Sequence, residues 1–518
     1  MKINNHPINL IKKIFRHDTF IFIICVSGII FRFAQVFNFA VFDNDQARDL
    51  LVVRHIVFFN EPRILGHDAS GIPGLFYPPY YYYFLSFITR LFDNPQIIYL
   101  IIALLSGASV YFLYLTIKLL FNKNIALYST IIYIFLPGIN RSANLWSCYV
   151  GLSFFIISLY FLVSFLKSKK LHKGICFLIL SFFSSFTAYE FIMFLPLFTV
   201  LMLFAVRNNY RKFFLLTFAW IFLVSVSLIP VINHHIQHFS SSIDNSINYE
   251  YFVKSSLNIK KLIFKSVSDE SETSRFLLFS EIITLSFLIK LLLVKDIKNN
   301  KNLIGLFLVY CYGIIIASFK KNTLDYQLLA LWPITFTLIL AQVDYIFNRH
   351  KIYITLITIY IVLFGFPCWN HVIKIFNFSS RSETNKLIQS NSIAKTILSG
   401  IQDDINPFRI YILKKDDKDP YYGLEIYYFL ERDQSKKYVT VTKKDEYLSL
   451  VTPGKKIDKV FLVCRNYSNT KLIKTQCLNK FIRNFKIPIK IDKEKIIFNQ
   501  RDAVVYQINL KNHRFYEF

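Results

Sequence analysis

Val41–Leu50 reads VFDNDQARDL and follows directly on the first long apolar run of the chain. It places three acids, Asp43, Asp45 and Asp49, within seven residues at the edge of a candidate membrane span. The other long hydrophobic runs hold almost no acids. A carboxylate at the membrane–water boundary is costly unless it is solvated, capped or used. Which of these applies decides how the rest of the chain is read.

Over 518 residues, 54% are hydrophobic and 18% aromatic, and the mean hydropathy is +0.40. Laid down in long blocks, that composition belongs to a polytopic membrane protein. Glycine is scarce at 14 residues, which argues against helices packed through small-xxx-small seams. The net charge of +27 is no nucleic-acid signature. Many of the basic residues sit in short clusters between apolar runs, where orientation in the membrane puts them, and the rest are spread over the C-terminal region without an aromatic-interleaved motif. Of seven cysteines none forms a metal-binding spacing. Cys464 and Cys477 share the C-terminal region, and the sequence leaves their pairing open.

The first span covers about 19–39, long enough for a ~30 Å hydrocarbon core, and its basic N-terminal flank lacks a cleavage site, so it reads as an uncleaved span. Arg32 inside it is expected to snorkel toward an interface. Between 43 and 95 no clean span occurs. Asp45–Phe59 carries Asp45, Arg48, Asp49 and His55 on one side and Leu50, Val53 and Val57 on another, the pattern of a helix lying along the interface. Pro79–Phe92, entered through the PPYYYYFL run that starts at Pro78 after a Gly- and Pro-rich loop, reads as a second such helix with a tyrosine belt. Spans then recur near 96–117, 125–140, 147–166, 174–188, 191–206, 213–232, 276–294, 303–319, 324–347 and 352–369, about eleven in all, most of them long enough to cross.

The loops at 118–124, 167–173, 207–212, 295–301 and 348–351 each hold at least two Lys or Arg. With the N-terminus inside, all five face inside, as the positive-inside rule requires. Residues 43–95 are then one outer loop bearing two interfacial helices. From about 370 the hydropathy falls and RIYILKK, KYVTVTKK, KVFLVCRN and AVVYQINLK alternate as strands, with GLEIYYFLERD helical between them. The expected architecture is an all-α polytopic membrane bundle, 1–369, followed by a soluble α/β domain, 370–518, on the outer face.

An outer acidic loop above a helical bundle suits transfer from a lipid-anchored donor to an acceptor arriving from water. Glycosyl transfer from a polyprenyl phosphate needs a carboxylate to orient and deprotonate the attacking hydroxyl, and cations to stabilise the departing phosphate. Asp43, three residues before Gln46, has capping-box spacing and is either a helix cap or a second catalytic carboxylate. Asp45 falls in the first turn, where the helix dipole favours the ionised form, and is the candidate base. Asp49, one turn on, sits beside Arg48. Candidate outer cations are Arg48, Arg63, Arg141 and the pair Lys320–Lys321, the last placed against the inside bias.

In order and placement these residues resemble the GT-C membrane glycosyltransferases, in the branch of the protein O-mannosyltransferases and lipid A aminoarabinose transferases. That family carries an Asp followed by Glu or Gln in its first outer loop and then a helix with Arg and another acid, here Asp45-Gln46, Arg48 and Asp49. Its PP-aromatic helix matches Pro78-Pro79-Tyr80, and its outer turn matches Arg141 with Asn144 and Trp146. Its lysine-bearing turn before a Tyr-Leu-Leu helix matches Lys320, Lys321, Tyr326 and Pro333. Over about 19–345 the resemblance implies Asp45 as the catalytic acid and a donor site drawing on Arg48, Asp49, Tyr80, Arg141, Lys320, Lys321 and Tyr326, to which the reading of the residues adds Asp43 as a second acid and Arg63 as a cation. Its implied partners are a polyprenyl-phosphate-linked sugar, a lipid, glycan or protein acceptor, and membrane lipids, with no nucleic acid. Phe76-Tyr77 stands where the aminoarabinose branch has an acid and a lysine, and NRSANLWS lacks that branch's Asp, so neither its metal site nor lipid A as acceptor is implied. A divalent metal is otherwise left open.

Two other classes fit some features. A polysaccharide flippase would hide charges among several spans and show repeat symmetry, whereas here the polar residues collect at one surface. An O-antigen polymerase or ligase would place its chemistry in a large late loop, for which 233–275, with His234, His235 and His238, is long enough.

Overall fold

The structure, a computed structural model, describes residues 23–38, 40–67, 76–135, 145–187, 191, 194–238, 301–318, 334, 337–338, 340–341, 385–401, 408–414, 421–434, 459–465, 476–481, 491–500 and 503–510. The expected spans near 276–294 and 352–369, most of that at 324–347, and the strand segment KYVTVTKK lie outside these residues. The chain divides into two compact units. The first is Met1–Val36, Ile64–Tyr81 and Tyr99–Phe376, and the second is Phe37–Arg63, Tyr82–Ile98 and Asn377–Phe518.

The first unit is helical. It holds most of α1 (Ile23–Asn38) and of α4 (Pro95–Leu120), then α5 (Lys123–Phe135), α6 (Ser147–Ser168), α7 (Leu171–Thr187), α8 (Phe194–Ala205), α9 (Tyr210–His238) and α10 (Lys301–Ser318). α2 (Asn44–Phe58) and α3 (Tyr80–Leu91) come between α1 and α4 in the chain. Among the described residues α4 and α6 are long and apolar enough to cross a membrane, and α1, α7 and α8 are shorter apolar helices. α6 stops at Lys169, whose left-handed backbone (φ 54°) turns its N–H onto Phe165 O at 2.7 Å.

Among the described residues, the basic loops at 118–124, 167–173 and 207–212 meet at one end of this unit, beside the start of α10. Lys167 Nζ donates to Leu119 O, Asn302 Nδ2 donates to Leu120 O, and Lys212 Nζ donates to Lys169 O at 2.9 Å. Lysines and an asparagine thus satisfy carbonyls that the helix ends leave without an intrahelical partner.

One close helix contact joins a serine to a glycine. Ser184 Oγ donates to Gly151 O at 2.9 Å between α7 and α6, and a Cβ at Gly151 would lie 2.7 Å from Thr187 Oγ1. Arg32 does not snorkel. It is 1% exposed, with Nε donating to Ser106 Oγ at 2.7 Å and Nη1 to Gly28 O at 3.1 Å. Two oxygens inside the unit replace the water that snorkelling would have sought.

The second unit contains α2, α3 from Tyr82 onward and a mixed sheet. The strands are β1 (Phe408–Lys414), β2 (Tyr421–Tyr422), β3 (Lys459–Arg465), β4 (Ile491–Gln500) and β5 (Ala503–Leu510) in the order β2-β1-β3-β5-β4. β1 and β3 pair in parallel and the other pairs are antiparallel. Ile410, Ile412, Phe461 and Val463 alternate with Tyr411, Leu413, Leu462 and Cys464, and all are buried, so β1 and β3 are covered on both faces. Three of the four expected strand segments appear as β1, β3 and β5. GLEIYYFLERD forms α12 (Leu424–Gln434), which packs between α2 and α11 (Lys386–Ile401). Cys464 and Cys477 are joined, with Cα atoms 6.2 Å apart. Arg465 is buried between Glu425 Oε1 at 2.9 Å and Ser390 Oγ at 2.7 Å, tying β3 to both helices.

Candidate functional site

α2 begins where the carboxylates lie. Asp43 is its N-cap in extended backbone, and the capping box closes as the Asp43 amide donates to Gln46 Oε1 at 3.0 Å. Asp43 Oδ1 also accepts from Lys386 Nζ at 3.1 Å. The helix therefore starts at Asn44 with Asp45 in its first turn. The Asp45 side chain is 51% exposed, and its Oδ1 accepts from Arg48 Nη1 at 3.2 Å.

Asp49 faces the opposite circumstance. Only 2% exposed, its Oδ1 accepts from Arg48 Nε at 3.1 Å, Arg48 Nη2 at 3.0 Å and Tyr82 Oη at 3.2 Å. Arg48 bridges the two acids one helical turn apart. Burial works against its charge, but Asp49, then Tyr82 and Asp45, outweigh that cost and raise its pKa above the ordinary arginine value. Burial, then the Asp49 carboxylate, pushes the Tyr82 phenol well above its ordinary value against the opposing charges of Arg48 and Arg63. Tyr82 therefore remains a donor to Asp49. Arg63 is close enough to act on Tyr82 electrostatically, and its carbonyl accepts from Tyr83 Oη at 2.8 Å.

The far half of α2 is locked. Arg54, 2% exposed, donates to both oxygens of Asp93, at 2.5 Å for Oδ1, and reaches Glu431 O at 3.4 Å. His55 is fully buried between Glu61 Oε2 at 3.0 Å and Glu431 Oε2 at 3.3 Å. This departs from the expected surface helix with a wet polar face. Asp49 and His55 are enclosed with side-chain partners within the unit, and Leu50 and Val53 on the apolar side are buried in the protein as well.

The structure thus gathers Asp43, Asp45, Arg48, Asp49 and Arg63 in the second unit. It adds Tyr82 and Lys386, which the sequence reading had not singled out. The signal for Tyr82 lay in the tyrosine run itself, but Lys386 had none, being 343 residues from its partner. Tyr80 belongs to the first unit, with its ring centroid 5.4 Å from that of Phe182 and 6.1 Å from that of Phe186. Arg141, Lys320, Lys321 and Tyr326 lie outside the described residues. Among the described residues no three of His, Cys, Asp and Glu come together as metal ligands would.

Residues 77–236 match the family model described as dolichyl-phosphate-mannose-protein mannosyltransferase. No curated protein matches the chain in sequence. The structure is similar to ArnT from Cupriavidus metallidurans bound to undecaprenyl phosphate, with 10% identity and a TM-score of 0.51, covering 95% of this chain and 98% of ArnT. It also matches an oligosaccharyltransferase from Archaeoglobus fulgidus in complex with Zn and sulfate at 11% identity and a TM-score of 0.44, covering 85% of this chain and 68% of that one. The chain has a GT-C fold like that of ArnT. Its segment 77–236 carries the pattern of the mannosyltransferase family named above.

Proposed function

We propose that the protein is an integral-membrane glycosyltransferase that moves a sugar from a polyprenyl-phosphate-linked donor to an acceptor on the periplasmic or extracellular face, with Asp45 as general base. One observation carries this reading. Of the three carboxylates at the start of α2, Asp43 is committed to the cap and Lys386, and Asp49 is enclosed by Arg48 and Tyr82, while Asp45 is the most exposed. The matched family is named for dolichyl-phosphate-mannose and ArnT was solved with undecaprenyl phosphate, which supports a polyprenyl phosphate donor.

The chemistry is a single displacement. The acceptor hydroxyl oxygen bonds to the anomeric carbon as the carbon–oxygen bond to phosphate breaks. The hydroxyl proton passes to Asp45, and the phosphate leaves with the bonding electron pair. Inversion at the anomeric carbon follows. Arg48 holds Asp45 in place and, with Arg63, supplies positive charge for the leaving phosphate. Arg141, Lys320, Lys321 and Tyr326 are the proposed remainder of the donor site. The transferred group is a hexose or pentose, and the acceptor a lipid, glycan or protein.

The meeting of the loops at 118–124, 167–173 and 207–212 at one end of the helical unit supports a cell-membrane protein with those loops cytoplasmic and the region after 370 outside. Asp45→Asn in the full-length protein tests the assignment. Transfer from a polyprenyl-phosphate sugar should fall by about 10²–10⁴-fold with membrane insertion intact. Unchanged turnover in that variant would sink it.

A further inference from the structure

The first turn of α2 is held from the far end of the chain. Asn385 caps α11, its Oδ1 accepting from the Ile388 amide at 3.2 Å, while its Nδ2 donates to Phe37 O at 2.8 Å. The next residue, Lys386, makes the 3.1 Å ion pair with Asp43 Oδ1. Two adjacent side chains therefore grip residues 37 and 43, near the end of α1 and at the N-cap of α2. Both grips lie within the second unit.

The charge arrangement gives this grip a purpose. Arg48 pairs with Asp45 and Asp49, and Lys386 pairs with Asp43. Asp43 stands two residues from Asp45 and begins the helix that aims it. Without Lys386, the start of α2 would present one positive charge fewer to an anionic donor. The Asp43 side chain, released from Lys386, would also have more freedom to leave the cap.

We propose that Lys386, with Asn385, is a positioning residue of the transfer site: it neutralises and fixes Asp43, and through it sets the turn of α2 that carries Asp45. The inference rests on the glycosyl-transfer reading, since it assigns Lys386 a part in placing that base. Lys386 does not itself take the proton. Its effect reaches the reaction through Asp43 and the backbone, where a displacement of about 1 Å can cost as much as a hundredfold in rate.

The experiment uses the full-length protein reconstituted in lipid vesicles, with kinetics on a polyprenyl-phosphate sugar and amide hydrogen exchange of residues 43–48. Lys386→Met should lower kcat by about tenfold or more, speed exchange at 43–48, and leave exchange in β3 and β5 as in the wild type. Lys386→Arg should restore most of both. The double variant Asp43→Asn with Lys386→Met should be no slower than Lys386→Met alone, because both changes break one link. Wild-type kcat with unchanged exchange in Lys386→Met would overturn the proposal. So would multiplying losses in the double variant, which would mean that Lys386 acts apart from Asp43. If Asp45→Asn retains full transfer, the base assignment fails instead, while the exchange at 43–48 still reports whether Lys386 fixes the turn.

Discussion

Asp49 and Asp45 are one helical turn apart and share one arginine, yet their surroundings assign them different work. Asp49 is a buried acceptor for Arg48 and Tyr82, so Asp49→Ala removes the carboxylate to which both the guanidinium and the phenol donate. A loss of about 3 kcal/mol in thermal stability is expected. Tyr82→Phe removes one donor to a charged group and should cost about 1.5 kcal/mol. The pair also sets an alkaline limit. Burial and Asp49 raise the Tyr82 pKa in the folded protein above its ordinary 10.0, so the contribution of this group is intact below that value and is lost as pH climbs through the raised one. Melting temperature should fall with pH above 10.0, and Tyr82→Phe should flatten that fall. The same melting curves in both variants would refute it. Asp43, Asp45, Arg48 and Asp49 were legible because a helix places them at fixed, local spacings. Lys386 and the Glu431 that faces His55 were not, because no local pattern announces a partner brought in from hundreds of residues away.

At the scale of elements, sequence pattern served helices and alternating strands well and contacts poorly. The capping box at Asp43 and Gln46 was written in the spacing, and so was the helical run of α12. What changed was the surroundings of α2, whose polar side is enclosed by Glu61, Glu431 and Tyr82 where water was expected. β4 was also missed, since IDKEKIIFNQ opens with charged residues that hide its alternation. The Cys464–Cys477 bond fastens β3 to the helical turn at 476–481. It closes a loop of 13 residues, for which chain-entropy reasoning gives about 3 kcal/mol. Cys464→Ala with Cys477→Ala should lower the unfolding midpoint of the second unit accordingly, and reductant should destabilise the wild type but leave the double variant unmoved. A wild-type protein indifferent to reductant would contradict this.

For the whole molecule, the division into units follows neither the length of the chain nor the order of its spans. Residues 37–63 and 82–98, read as a loop of the membrane portion, group with the region after 377. Hydropathy reports where a segment prefers to be and says nothing of which distant segment it will pack against, so this grouping had no signature in the sequence.

Arg32 has a consequence for how the protein is made. An arginine near the centre of a span adds about 2.5–3.5 kcal/mol to the cost of entering the bilayer. The oxygen that accepts from its Nε, Ser106 Oγ, is supplied by α4, 74 residues later. On the proposed topology, α1 reaches the translocon before its partner has been synthesised and is a poor recruit by itself. Its final seating should therefore wait for α4, making the two helices a biogenesis pair. Fused alone to a reporter, 1–42 should insert inefficiently, and Arg32→Leu should make it insert well. In a fusion extended through residue 122, Ser106→Ala should lower the yield of correctly inserted α1, whereas Ser129→Ala, a buried serine elsewhere in the same unit, should not when the fusion runs on through residue 145. Efficient insertion of the short wild-type fusion would show that the nascent chain needs no such escort.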